Sequence, residues 1–192
     1  MSWVPAFKVG FWNAWIPMLY FIFHPLIMLL MDKAVGTGGI LKRMGDIPNT
    51  KEEKRINDIY MVALVILVAY SIFLPLKLGT GWFYAGLVIY LVGLVMFLVA
   101  VVNVAKTPAG QPFIRGMYRF SRNPMYLSFF ITFVGVGIAS ASWVFLLLSG
   151  VIMVLQTIYI SFEEQSCIEL YGKEYKEYMN KTPRWLGMPK SR

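Results

Sequence analysis

Long uncharged stretches alternate along this chain with charged ones. Residues 9–31 run for 23 positions without a formal charge, residues 59–76 for 18, and residues 82–105 for 24. Each can carry a helix across roughly 30 Å of hydrocarbon at about 1.5 Å per residue. A further 40 residues, 123–162, also pass uncharged. That is too many for one crossing and enough for two, with Ser140-Ala141-Ser142 as the turn of an antiparallel hairpin. The pattern predicts an all-α integral membrane protein of about five transmembrane helices, over residues 9–31, 59–76, 82–105, 124–139 and 143–162. A C-terminal helical tail follows, and the whole of residues 1–192 forms a single membrane domain.

Smaller features refine these elements. Trp3, Trp12 and Trp15 suit an interfacial belt at the start of the first span, and Pro17 and Pro25 predict kinks within it. His24, beside Pro25, is expected to be a neutral histidine hydrogen-bonded within the bundle rather than a catalytic group. Residues 32–58 form a loop. Its Gly36-Thr37-Gly38-Gly39 run is followed by no Gly-Lys-Ser/Thr and reads as a connector, not a phosphate cradle. The mixed run Lys51-Glu52-Glu53-Lys54-Arg55 is expected to open the next helix as a solvated face. Gly86 and Gly93, seven residues apart, share one helical face and are read as a close-packing stripe. In the tail, Ile168, Tyr171, Tyr175 and Tyr178 recur at three- and four-residue steps, with Gly172 as an interruption.

Composition agrees with this division. A hydrophobic content of 58% and a mean hydropathy of +0.61 lie outside the range of ordinary soluble domains. The single cysteine, Cys167, allows no internal disulfide, and one histidine disfavours a metal site. The net charge of +8 is carried by loops between apolar segments, which points to anionic lipid headgroups and not to nucleic acid. Counted by side for five spans, sixteen of the eighteen Lys and Arg residues fall together, against Lys8 and Lys77 on the other side. That bias predicts an N-terminus outside and a cytoplasmic C-terminus.

Two polar clusters then fall on the cytoplasmic side. One is Gly116-Met117-Tyr118-Arg119-Phe120-Ser121-Arg122-Asn123-Pro124-Met125-Tyr126, and the other is Glu163-Glu164 at the end of the fifth span. Two adjacent acids at the edge of hydrocarbon need water, a cation or hydrogen-bond donors to meet them. Neighbouring residues on a helix point about 100° apart, so the two glutamates cannot serve one ligand atom in the same way. Arg122 is a partner for one of them, and Tyr118, Asn123 and Tyr126 bring further donors to the same depth. The residues alone predict a water-facing polar pocket with a lipid-facing wall, without naming its ligand.

These clusters, with Tyr171-Gly172-Lys173-Glu174-Tyr175 and Thr182-Pro183-Arg184-Trp185, resemble the isoprenylcysteine carboxyl methyltransferase family, which is itself similar to the membrane phospholipid N-methyltransferases. The family pattern runs Gly-x-Tyr, Arg-His-Pro-x-Tyr, a helical hairpin, Glu-Glu, then aromatic-Gly-x-x-Tyr, and the likeness covers residues 103–185. It implies S-adenosylmethionine as methyl donor at the cytoplasmic face. By position it implies cofactor contacts at Asn103, Gly110, Gln111, Pro112, Phe113, Tyr118, Asn123, Pro124, Met125, Tyr126 and Glu163. Arg122 and Glu164 are the candidate catalytic residues, the first as donor to the cofactor carboxylate and the second as a route for a proton. There are two departures. Asn123 stands where the family most often has histidine, and an amide positions but takes up no proton. Tyr159, the candidate substrate-binding residue, replaces the arginine to which the family's hold on a substrate carboxylate is attributed.

The expected activity is in-line methyl transfer to a lipophilic or small acceptor. In-line displacement asks a site mainly to align the reacting groups and exclude water. Two other readings fit parts of the chain: a sterol-reductase-like membrane enzyme using NADPH, whose C-terminal region is similar, and a non-enzymatic membrane scaffold.

Overall fold

In a computed structural model of the protein, residues 7–35, 50–108 and 110–189 are described. Trp3, the Gly36–Gly39 run and Pro48-Asn49 lie outside the described residues. The elements are α1 (Trp15–Val35), α2 (Lys51–Ile72), α3 (Gly81–Ala105), a 3-10 turn (Gly116–Arg119), α4 (Pro124–Ala139) and α5 (Trp143–Lys181). No β-strand occurs among the described residues. Among the described residues, four helices are long and apolar enough to cross a membrane, and α4, at 16 residues, is the shorter fifth.

The bundle is apolar on its outside as well as within. Tyr84, Val88, Leu91 and Val95 follow one face of α3 at helical spacing, and Val88 and Val95 are 61% and 60% exposed. A continuous outward apolar face of this kind is the signature of hydrocarbon as solvent. Inside, hydroxyl groups at membrane depth bond back to their own helix: Ser128 Oγ donates to Met125 O at 2.6 Å, Thr132 Oγ1 to Phe129 O at 2.7 Å and Ser149 Oγ to Phe145 O at 2.8 Å.

The tightest helix pair is α3 with α4, and glycine makes it. A Cβ at Gly86 would collide with the backbone of Gly135 and Ala139, and one at Gly93 would come within 2.9 Å of Thr132 N. The two helices therefore meet backbone to backbone, as the seven-residue spacing predicts. Gly86→Val is expected to cost about 1–3 kcal/mol through overpacking, read as a lower unfolding midpoint in denaturing detergent. Gly150→Ala, where an added Cβ meets nothing within 4 Å, is the neutral control.

Two helix starts differ from the apolar pattern by several residues. Helix α1 starts at Trp15 instead of Val9, because residues 12–14 pair with the chain after α2: Ala14 N donates to Leu74 O at 2.8 Å and Leu76 N to Trp12 O at 3.0 Å. Asn13 locks this corner, its Nδ2 donating to Lys8 O and Ile72 O at 2.6 and 2.7 Å. Pro17 consequently falls in the first turn of α1, where its fixed φ is tolerated, while Pro25 lies inside the helix. Helix α2 begins at Lys51, where Thr50 and Glu53 form a capping box. The charge run is thus helical as expected, but Glu53 is 2% exposed, so its face is not wholly solvated.

Candidate active site

At the end of the bundle where α2 starts, residues 110–123 fold over α3 and are pinned from the tail. Gly116 adopts φ +62°, and a side chain there would occupy the space of the Asn103 amide. Only glycine gives both the left-handed turn and that close approach. The 3-10 turn that follows buries Tyr118, whose carbonyl accepts from Tyr178 Oη at 2.6 Å. Arg122 N donates to Pro183 O and Gly187 N to Phe120 O, both at 3.0 Å. The tail reaches back to make these bonds because Gly172, at φ +58°, turns the chain within α5.

The two adjacent glutamates have separate surroundings, as their 100° offset requires. Glu164 is clamped: Arg122 Nε donates to its Oε1 at 2.8 Å, Asn123 Nδ2 to the same oxygen at 3.3 Å, and Arg184 Nη2 to Oε2 at 2.5 Å. Arg122 Nη1 also donates to Met179 O at 3.0 Å and Thr182 O at 2.8 Å, tying the loop, α5 and the tail together. Burial pushes the Glu164 carboxyl up, but the hydrogen bonds from Arg122 and Arg184 outweigh it and hold the group below the usual carboxylate range.

Glu163 instead faces a cavity of about 400 Å³ and makes no ion pair among the described residues. Burial pushes its carboxyl up to about 7, opposed by a hydrogen bond from the Tyr126 hydroxyl and helped by the charges of Glu53 and Glu164. Tyr159 lies on the same wall, its ring 6.4 Å from that of Tyr126. Burial is also the main cause that pushes Cys167, one turn along α5, up to about 11, so that thiol stays protonated at neutral pH.

Of the candidate residues, the cavity wall contains Phe113, Tyr118, Arg122, Asn123, Met125, Tyr126, Tyr159, Glu163 and Glu164. Asn103 is not on it and packs under Gly116, its Nδ2 buried without a hydrogen-bond partner among the described residues. Gly110, Gln111 and Pro112 lie in the loop away from the wall, and Pro124 serves as the first residue of α4. Tyr171 and Tyr175 of the tail stripe also line it, and a further part of the wall comes from helices far away in the chain: Phe21, His24 and Met28 on α1, and Asn57, Tyr60 and Leu64 on α2. Arg184, which completes the clamp on Glu164, stands in the Thr182–Trp185 stretch but reads there as part of a motif and not as a site residue.

Residues 82–174, a stretch just under half the chain, match the family described as phospholipid methyltransferase. No curated protein gives a significant match to the chain. The matched stretch contains the loop, the helical hairpin and the Glu163-Glu164 pair that build the polar end of the cavity. Over residues 82–174 the chain is therefore similar to the phospholipid methyltransferase family, and that likeness spans the polar end of the cavity.

Proposed function

We propose that this protein transfers a methyl group from S-adenosylmethionine to a lipophilic acceptor that enters the cavity from the bilayer. The observation that carries this reading is a single cavity with two unlike ends. One end gathers a carboxylate, an amide and phenols from the family region, and the other is an apolar arm between α1, α2 and α4.

The residues present fit the cofactor. Its volume class matches, since pockets for ligands of this size hold roughly 300–1,000 Å³. Glu163 is a carboxylate with no ion pair among the described residues, suited to the positive charges of the donor. Asn123 spends its Nδ2 on Glu164 and on Arg184 O, which leaves its carbonyl oxygen as a further acceptor. Phe113 and Tyr118, with ring centroids 5.9 Å apart, form an aromatic face for adenine. Arg122 has its Nε and Nη1 committed, and Nη2 remains for the cofactor carboxylate. S-adenosylmethionine supplies an electrophilic methyl carbon on a sulfonium when bound.

The chain's own work is orientation and exclusion of water. Glu164, held ionised between two guanidinium groups, fixes the loop against the tail rather than moving a proton. Asn103 supports that loop from behind Gly116. The distribution of basic residues supports a cytoplasmic position for this end of the bundle, where a soluble cofactor arrives.

The test is to incubate the protein, purified in mild detergent, with methyl-labelled S-adenosylmethionine and a membrane extract. Label is expected in the organic phase. Label confined to water-soluble products would overturn the lipophilic acceptor, and no label with no retained cofactor would overturn the methyltransferase reading itself.

A further inference from the structure

Pro25 has no N–H, so the carbonyl of Phe21, four residues earlier in α1, loses its helical partner. His24 takes that place, its Nδ1 lying 2.5 Å from Phe21 O. A carbonyl oxygen can only accept, so Nδ1 carries the hydrogen and donates it. The neutral ring is then left with a lone pair at Nε2. Around it stand Phe21, Phe129 and Phe97, with centroids at 5.0, 5.2 and 6.1 Å, none of which can donate to that nitrogen.

The same ring lines the cavity that reaches Glu163. Its place along the arm follows from Phe129, which lies three residues beyond Tyr126 on α4. That offset is a rise of about 4.5 Å along α4, roughly one turn from the Tyr126–Glu163 end. The arm is otherwise apolar on the α1 side, from Phe21 to Met28. One acceptor set among aromatic and thioether groups, with its tautomer chosen by a proline-freed carbonyl, selects among lipophilic molecules by a single hydrogen bond.

We propose that Nε2 of His24 is a recognition point for the acceptor. It accepts a hydrogen bond from a hydroxyl or amine N–H on the apolar part of that molecule, away from the atom that receives the methyl group. The inference rests on the reading of the cavity as a site for a lipophilic acceptor. It makes His24 a positioning residue that contributes no proton to the transfer.

The experiment compares two probes that differ only in the O–H, oleyl alcohol and oleyl methyl ether, by native mass spectrometry of the whole protein in detergent. Wild type is expected to bind the alcohol about five- to tenfold more tightly, the worth of one net hydrogen bond. His24→Phe should abolish the preference and His24→Gln should restore part of it. Cofactor titration in both variants should stay within twofold of wild type, which also shows that they are folded. Equal binding of the two probes by wild type, or a preference that survives in His24→Phe, would overturn the proposal. Should His24→Phe fail to fold, the wild-type comparison and His24→Gln decide it. Wild type that discriminates the probes yet binds no S-adenosylmethionine sinks the methyltransferase reading and leaves this recognition point standing.

Discussion

Replacing Glu164 by glutamine is expected to destabilise the protein by about 3–5 kcal/mol, the usual cost of removing one partner from a buried ion pair. The size follows from burial. The Glu164 side chain is 4% exposed and that of Arg122 11%, so the variant leaves a guanidinium in a poorly solvated place with its counter-charge gone. Arg122 still donates to Met179 O and Thr182 O, and those bonds now hold an unneutralised cation against the tail. Arg184 is 33% exposed at its side chain, and Arg184→Ala should cost less because water can replace it in part. Acid should act like the substitution. The folded-state carboxyl lies below its ordinary value, so its stabilisation is present above that value and is lost as pH falls through the folded one. The measurement is the unfolding midpoint in denaturing detergent against pH, for wild type and Glu164→Gln. A midpoint that holds while methyl transfer alone disappears would show that Glu164 acts in the reaction and not in the clamp.

Replacing Glu163 by glutamine should leave the fold standing and weaken S-adenosylmethionine by about 10- to 100-fold, the worth of one charge-assisted contact of about 1.5–3 kcal/mol. Titration calorimetry reads this directly. A second signature belongs to Glu163 alone. Its carboxyl titrates at about 7 in the empty protein, and only the ionised form attracts a cationic ligand. Cofactor affinity should therefore rise with pH, by up to about tenfold per unit, and level off above about 7. The glutamine variant should show a flat profile. Stability of the empty protein runs the opposite way. A carboxyl raised from 4.5 to about 7 is ionised more easily in the unfolded chain, so wild type loses stability relative to Glu163→Gln as pH climbs through that window. An affinity that is unchanged in the variant, or independent of pH in wild type, would remove Glu163 from the cofactor site.

The adjacent pair also shows how far a sequence reading reaches. Two acids at the end of a span, an arginine before a proline-started helix and a helical hairpin between them are all visible as residue types at spacings, and the family match covers them. The separation of their duties is not. Whether Glu163 or Glu164 meets the arginine depends on how α5 is rotated against α4 and where the tail returns, and Arg184 enters only through the turn at Gly172. Asn103 illustrates the opposite case. Its position in the resemblance suggests a cofactor contact, while its packing against Gly116 gives it a place behind the loop.

The membrane-spanning stretches were determined by the sequence alone, because the cost of a charge in hydrocarbon acts on composition and needs no partner. The glycine stripe was legible for a related reason, since the absence of a side chain is itself the contact. Tertiary structure alone decided the inner wall of the cavity. His24 on α1 and Tyr60 on α2 lie far from the polar clusters in the chain, and an apolar helix shows the same hydrophobicity whichever face it turns to lipid or to its neighbours. The non-helical start at residues 12–14 was decided there as well, by backbone pairing with residues 74–76 that no local propensity encodes.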